Sequence, residues 1–203
     1  MINPLAPLTA TEIKKAVEIF RREHGDERAV FCSSGLDEPA KADVKAGRAV
    51  PRIVKFLGTD SVPDGGFEAY VNLAEDKVER LIRLGDDAQA PYGYYDLGLA
   101  VQLTKGNAEW LSAVKARGIA CDTKEDIERI QIDPWPAGGY AVDEIPFGHR
   151  AVRCIAFVRD DKTDNGYARP IHGLICHVDI TAGQVVRVED SGVIPMPPNP
   201  GRF

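Results

Sequence analysis

The sequence predicts an α+β protein of two similar units, each a helix followed by an antiparallel β-meander. Three observations carry that expectation. The apolar period switches from helical to two just after Gly25, a polar Gly- and Pro-containing stretch divides the chain near its middle, and residue patterns of the first half return in the second.

The first helix opens at Thr9-Ala10-Thr11-Glu12, which fits a capping box: the hydroxyl and the carboxylate each satisfy an amide at the helix end. Ile13, Ala16, Val17 and Phe20 then share one face, and Gly25 supplies a left-handed stop. Strands follow at 29–36 and 52–57. Phe67, Ala69, Val71 and Leu73 alternate with Glu68, Tyr70 and Asn72, which predicts a half-buried strand, and Lys77 to Leu84 pairs back after a tight turn. Ile13, Val17 and Phe20 should pack on the inner face of this sheet. Residues 85–93 read as a linker. Beyond them, 96–103 and 107–117 read as helices, the second capped by Asn107 and stopped at Gly118.

The meander then returns. Arg48-Ala49-Val50 with Phe56-Leu57 and Asp60 is echoed by Arg150-Ala151-Val152 with Phe157-Val158 and Asp160, while Val71-Asn72-Leu73 and Val78 are echoed by Val178-Asp179-Ile180 and Val185. The first echo is offset by 100 to 102 residues and the second by 107, so a loop has grown in the second copy. A repeat of this length means two domains of one type.

Composition narrows the function classes. With 44% hydrophobic residues, 28% charged residues and a net charge of −6, this is an ordinary globular chain without a basic run. Nucleic acid and anionic membranes are therefore not the expected partners. No apolar run reaches the roughly 20 residues that span a bilayer, and the opening lacks the apolar core of a secretory leader. The four cysteines are scattered without a C-x-x-C pair and read as free thiols, which predicts a cytoplasmic protein.

Catalytic signatures are sparse. Gly65-Gly66 and Gly138-Gly139 read as turns, and Asp160-Asp161 with Asp164-Asn165-Gly166 as a polar hairpin tip. Regular strand geometry would put His172 and Cys176 on one face as a possible ligand pair, with His177 facing away; ordinary strand duty is the simpler reading. No metal site and no catalytic residue emerges from the residues alone. Trp135 lies between Pro134 and Pro136 on stiff backbone. Its ring either anchors a loop in the core or is presented to a ligand or partner.

The stretch Val158-Arg159-Asp160-Asp161, Asp164-Asn165-Gly166-Tyr167-Ala168-Arg169-Pro170-Ile171 and Gly173-Leu174 resembles the third domain of copper amine oxidases. Asp133-Pro134-Trp135 before Ala137-Gly138, Val178-Asp179-Ile180 and Val185-Val186-Arg187-Val188-Glu189-Asp190 continue the likeness. Upstream, Pro4-Leu5, Leu8-Thr9 and Glu12-Ile13, with Leu36, Glu38-Pro39 and Lys41, are similar to the second domain. The resemblance implies that residues 1–88 are second-domain-like and 94–203 third-domain-like, both cystatin-like in fold. It implies a parent enzyme that uses copper and topaquinone to deaminate primary amines, as a homodimer whose catalytic domain is the partner of these units. The cofactor tyrosine of an Asn-Tyr-Asp/Glu motif and the His-x-His of the copper site do not occur in this sequence. The resemblance also points to Trp135, and after it Tyr95, as lining the substrate channel. Two other readings remain: a free-standing cystatin-like binding module or relic, and an enzyme site around His172, Cys176 and Asp179.

Overall fold

The computed structural model describes residues 3–25, 27–60, 66–85, 88–138, 141–161, 163–199 and 201. Part of the expected linker (86 and 87) and the glycines Gly65 and Gly139 lie outside the described residues. The chain forms two compact units, Met1–Gly93 and Tyr94–Phe203, each a four-stranded antiparallel sheet with helices.

In the first unit, helix α1 (Ala10–His24) starts at Thr9, whose hydroxyl accepts from Glu12 N–H while Glu12 accepts from Thr9 N–H at 2.8 Å. Strands β1 (Val30–Asp37), β2 (Ile53–Thr59), β3 (Gly66–Asn72) and β4 (Lys77–Arg83) lie side by side in that order, with a short helix α2 (Lys41–Lys45) between β1 and β2. Five residues carry too little period to announce α2 from sequence. Helix α1 buries Ala16, Ile19 and Phe20, with Ile13 and Val17 half-buried beside them, against Val54, Phe56, Phe67, Ala69 and Val71. The stripe is the expected one with Ile19 added. Phe20 stacks on Phe67 at 4.9 Å. Gly58 lies under that stack: a methyl there would sit 2.5 Å from the Val30 carbonyl oxygen and 2.6 Å from the Phe67 ring.

Strand β3 is not half-buried as its alternation predicts; both faces are covered. Tyr70 is roofed by the Arg80 guanidinium at 3.8 Å and the Lys55 ammonium at 5.3 Å, a cation–π arrangement that shields the ring. Asn72 turns into the hairpin, where its Oδ1 accepts from the amides of Ala74 and Glu75.

Arg52 ties β2 to the start of α1 through a 2.6 Å bond to Glu12. That bond, and the Thr9 amide after it, hold the Glu12 carboxyl at about 2, against an ordinary 4.5. A carboxyl depressed on folding stabilises the fold above its unfolded pKa, and the contribution is lost as pH falls through the folded value. The first unit should therefore lose stability between about pH 4.5 and pH 2. Denaturant midpoints measured across that window check this, and Glu12→Gln should flatten the slope; an unchanged slope in the variant would show that Glu12 is not its source.

In the second unit, helices α3 (Tyr94–Gly106), α4 (Ala108–Ala116) and α5 (Lys124–Arg129) precede β5 (Ile130–Pro136), β6 (Ala151–Val158), β7 (Leu174–Asp179) and β8 (Gln184–Asp190). Asn107 caps α4 by accepting from Trp110 N–H, and Gly118 follows with φ 72°. Thr123 and Asp126 form a second capping box that starts α5, a six-residue helix not anticipated from the sequence. Helix α3 packs across the β5-β6-β7-β8 sheet, as α1 does in the first unit.

The two meanders match closely in one part and not in another. Asn72 and Asp179 both close their hairpins, each Oδ1 accepting from the amide three residues on. Both partner strands carry a bulge at the same place, Tyr70/Val71 and His177/Val178. The turns reach left-handed backbone at Asp76 (φ 56°) and Gly183 (φ 68°), again 107 positions apart. The earlier echo is a coincidence of residue types. Ile53 pairs with Asn72 and Ala151 with Asp179, so the strands correspond at an offset of 98, and Arg48 to Val50 precede β2 altogether. The inserted residues lie between β6 and β7, where 159–173 take the place of 60–65.

Candidate functional site

Trp135 lies near the end of β5, the edge strand of the second sheet. Pro134 and Pro136 flank it and pair with Cys154 and Val152, while Ala137 N–H donates to the Ala151 carbonyl. Alternation along the strand therefore turns Pro134 and Pro136 toward the open edge, where a missing N–H costs nothing. The edge offers no donor at these two positions, which blunts pairing with another strand. The same stiff backbone fixes the aim of the Trp135 side chain.

Trp135 is 59% exposed, so of the two readings the core anchor does not hold. The core tryptophan is Trp110, fully buried on α4. Trp135 Nε1 donates to Asp133 Oδ2 at 3.1 Å, and the ring borders an open cavity of about 340 Å³ with Pro136, Ala137, Arg153 and Ile155. Arg153 is its direct partner on β6.

The chain that continues past Trp135 is pinned back onto the sheet. Ala137, Val142, Ile145 and Ala151 form a small apolar cluster with Val186 against it. His149 Nδ1 lies 2.7 Å from Asp179 Oδ2, and Arg187 pairs with Glu144 at 3.4 Å. His177, which also faces this side, meets Glu189 at 3.1 Å. These contacts were not legible in the sequence; the nearest signal was the parity that turned His177 away from Cys176.

Tyr95 occupies the first turn of α3 and is 64% exposed. The adjacent Asp96 is paired with Arg150 at 2.7 Å, which ties the helix start to β6. The cavity beside Trp135 is lined by Pro136, Ala137, Arg153 and Ile155, and Tyr95 is not among these residues.

The grouping of His172, Cys176 and Asp179 does not form. Strand β7 begins at Leu174, so His172 sits in the preceding turn, exposed, and strand parity does not reach it. Cys176 is fully buried opposite Cys154. Burial pushes the Cys154 thiol up to about 12 and raises that of Cys176, which removes both as nucleophiles near neutral pH. Asp179 serves the hairpin and His149.

Among the described residues no group of three or more His, Cys, Asp or Glu could hold a metal ion. The Trp135 cavity offers an aromatic face, apolar neighbours and a guanidinium, a set suited to contact recognition.

Residues 96–202 match the family model described as copper amine oxidase, N3 domain. A primary amine oxidase of Arthrobacter sp. (strain P1) is 32% identical over 202 residues, covering 99% of this chain and 30% of that protein. A histamine oxidase of Arthrobacter globiformis is 27% identical over 208 residues, covering 99% of this chain and 29% of its own length. The solved copper-containing benzylamine oxidase from Hansenula polymorpha superposes with a TM-score of 0.72 at 12% identity, over 93% of this chain and 30% of that one, a likeness of fold. The chain thus spans about a third of the length of the relatives it matches. With an N3 match over more than half its residues and the α+β architecture of that neighbour, the chain belongs to the copper amine oxidase family as an N-terminal region.

Proposed function

We propose that this chain is the non-catalytic N-terminal region of a copper- and topaquinone-dependent primary amine oxidase, supporting the catalytic domain and lining the approach to it. The observation that carries this reading is the N3 match in a chain one third as long as its relatives, whose own sequence holds neither Asn-Tyr-Asp/Glu nor His-x-His. The donor set does not fit copper. His149 and His177 are engaged by Asp179 and Glu189, His24 packs on Phe20, and His172 is exposed in a turn. No catalytic step runs through these residues.

In this reading the whole protein oxidises primary amines to aldehyde, ammonia and hydrogen peroxide. The catalytic domain and its dimer lie outside the chain, and the protein is cytoplasmic, in keeping with the buried thiols of Cys121, Cys154 and Cys176. Trp135 lines the substrate channel, with Tyr95 second. Support comes from the fixed, exposed ring and the cavity beside it.

The first test is the DNA downstream of the Phe203 codon. An open frame encoding Asn-Tyr-Asp/Glu and His-x-His supports the reading; without one, a free-standing binding module or relic replaces it. In the whole enzyme, peroxide release should show Trp135→Ala changing kcat/KM for an aromatic amine about tenfold more than for methylamine, since a large ring gains most from contact with the indole. Equal effects on both amines would remove Trp135 from the channel.

A further inference from the structure

Alternation along β6 sorts its side chains onto two faces. Val152, Cys154 and Ala156 are buried on the helix side, where Thr104 of α3 lies near the Cys154 thiol. Arg153 and Ile155, between them, are half-buried on the opposite face. Arg153 is paired with Trp135 on β5 and with His177 on β7. Side chains paired in this way start roughly 5 Å apart at Cβ, so the guanidinium and the indole form one wall of the cavity of about 340 Å³.

Arg153 is the single charged residue among those that line this cavity, with Trp135, Pro136, Ala137 and Ile155. Among the described residues its side chain makes no hydrogen bond and no ion pair. The carboxylates around this face are engaged elsewhere and do not line the cavity. Asp133 accepts from Trp135 Nε1 at 3.1 Å, Glu189 meets His177 at 3.1 Å, Glu144 meets Arg187 at 3.4 Å, and Asp179 meets His149 at 2.7 Å. A guanidinium carries its charge permanently, so the wall beside the indole is cationic.

Granted that Trp135 lines the substrate channel, we propose that Arg153 is a specificity-determining residue there: it favours amines with a neutral or anionic far end and disfavours diamines. A primary amine arrives as an ammonium ion, and a diamine brings a second ammonium at its far end. With the near end held at the reacting centre, an apolar tail rests on the indole and a carboxylate tail takes the paired donors of the guanidinium. A second ammonium meets a like charge in an open, partly wet cavity, a penalty of about threefold to fivefold in kcat/KM at low salt. Asp133 is the opposing charge. It is held at the indole edge outside the lining, so its pull on a tail in the cavity is the weaker one.

On the purified chain, the Trp135 indole N–H resonance is followed against phenylpropionate and phenylpropylamine, which share a ring and differ in the charge of the tail. The acid should give the larger saturable shift, and Arg153→Gln should remove the difference. No shift, or a larger one with the amine, overturns the role of Arg153. In the whole enzyme, peroxide release is measured for straight-chain monoamines and the matching diamines over graded lengths. Arg153→Gln should raise the diamine-to-monoamine ratio of kcat/KM about threefold to fivefold at lengths that reach the cavity. Arg153→Glu should raise it further, and Arg153→Lys, which keeps the charge, should hold the parent ratio. Ratios that Arg153→Gln leaves unmoved at every length, or that Asp133→Asn moves by more, overturn the role as well. The channel reading then stands if Trp135→Ala still acts on the aromatic amine more than on methylamine, and falls too if that variant treats both alike. If Arg153→Gln does not fold by circular dichroism, Arg153→Lys and Arg153→Met decide, the charge being kept in one and lost in the other.

Discussion

Trp110→Ala should lower the stability of the second unit by about 3–5 kcal/mol, the cost of emptying a large buried aromatic site. Trp110 is fully buried on α4, which packs between α3 and β8, and Val114 lies one turn along on the same face. Removing the indole opens a cavity that close-packed neighbours fill only in part. Among the described residues its Nε1 has no hydrogen-bond partner, so the loss is one of packing and returns only a small desolvation cost. A domain has roughly 5–15 kcal/mol in total, so the variant unit should unfold well below the parent. Thermal and denaturant unfolding, with two transitions fitted for the two units, measures this. A loss below about 1 kcal/mol would mean that the α3–α4 layer is not part of the cooperative core. Trp135→Ala, at an exposed ring, should change the same midpoint little.

Arg117→Met should cost about 3 kcal/mol in the same unit. The side chain is 3% exposed and works as a clasp. It donates to both Asp190 oxygens at 2.5 and 3.1 Å, and to the carbonyls of Ala113, Gly173 and Gly192 at 2.9, 3.2 and 2.8 Å. It thereby ties the end of α4 to the turn before β7 and the chain after β8. Methionine keeps much of the volume but leaves those carbonyls without their donor, the expensive half of a broken hydrogen bond. Lysine should not rescue the loss, because one ammonium cannot span acceptors spread around a planar fork. Asp190→Asn should cost less, since its carboxylate is partly exposed and keeps a bond from Gly192 N–H. If the lysine variant is as stable as the parent, the fork is not what matters.

Asp190 also carries an acid signature. Arg117 first, and the Gly192 amide after it, hold its carboxyl at about 2, against an ordinary 3.8. Its contribution is present above the unfolded value and fades as pH falls toward 2. The two units should therefore soften in the same acid range, one through Glu12 and the other through Asp190.

The outline of the fold was legible because it is written in local signals. The Thr9 capping box, the Gly25 and Gly118 stops, the helical stripe of α1 and the period-two strands all act within a few residues of where they are read. The later half of the repeat held for the same reason: Asn72 and Asp179 each fold the amides three residues away into the same turn. The short helices α2 and α5 were missed because five or six residues hold less than two turns of pattern. The buried outer face of β3 was missed because Arg80 and Lys55 reach Tyr70 from neighbouring strands.

The functional features divide the same way. The sequence by itself determined the α+β class, the doubling of the unit, the likeness to copper amine oxidases, and the absence of an Asn-Tyr-Asp/Glu or His-x-His motif. Those are matters of residue order. Only the tertiary structure decided that Trp110 is the core indole and Trp135 the exposed one, that His172 and Cys176 do not meet, and that His149 meets Asp179 thirty residues away. It alone set Arg153 beside Trp135 on one cavity wall. Burial and charge pairing arise when distant strands are brought into register, and a side chain carries no mark of which neighbour the register will give it.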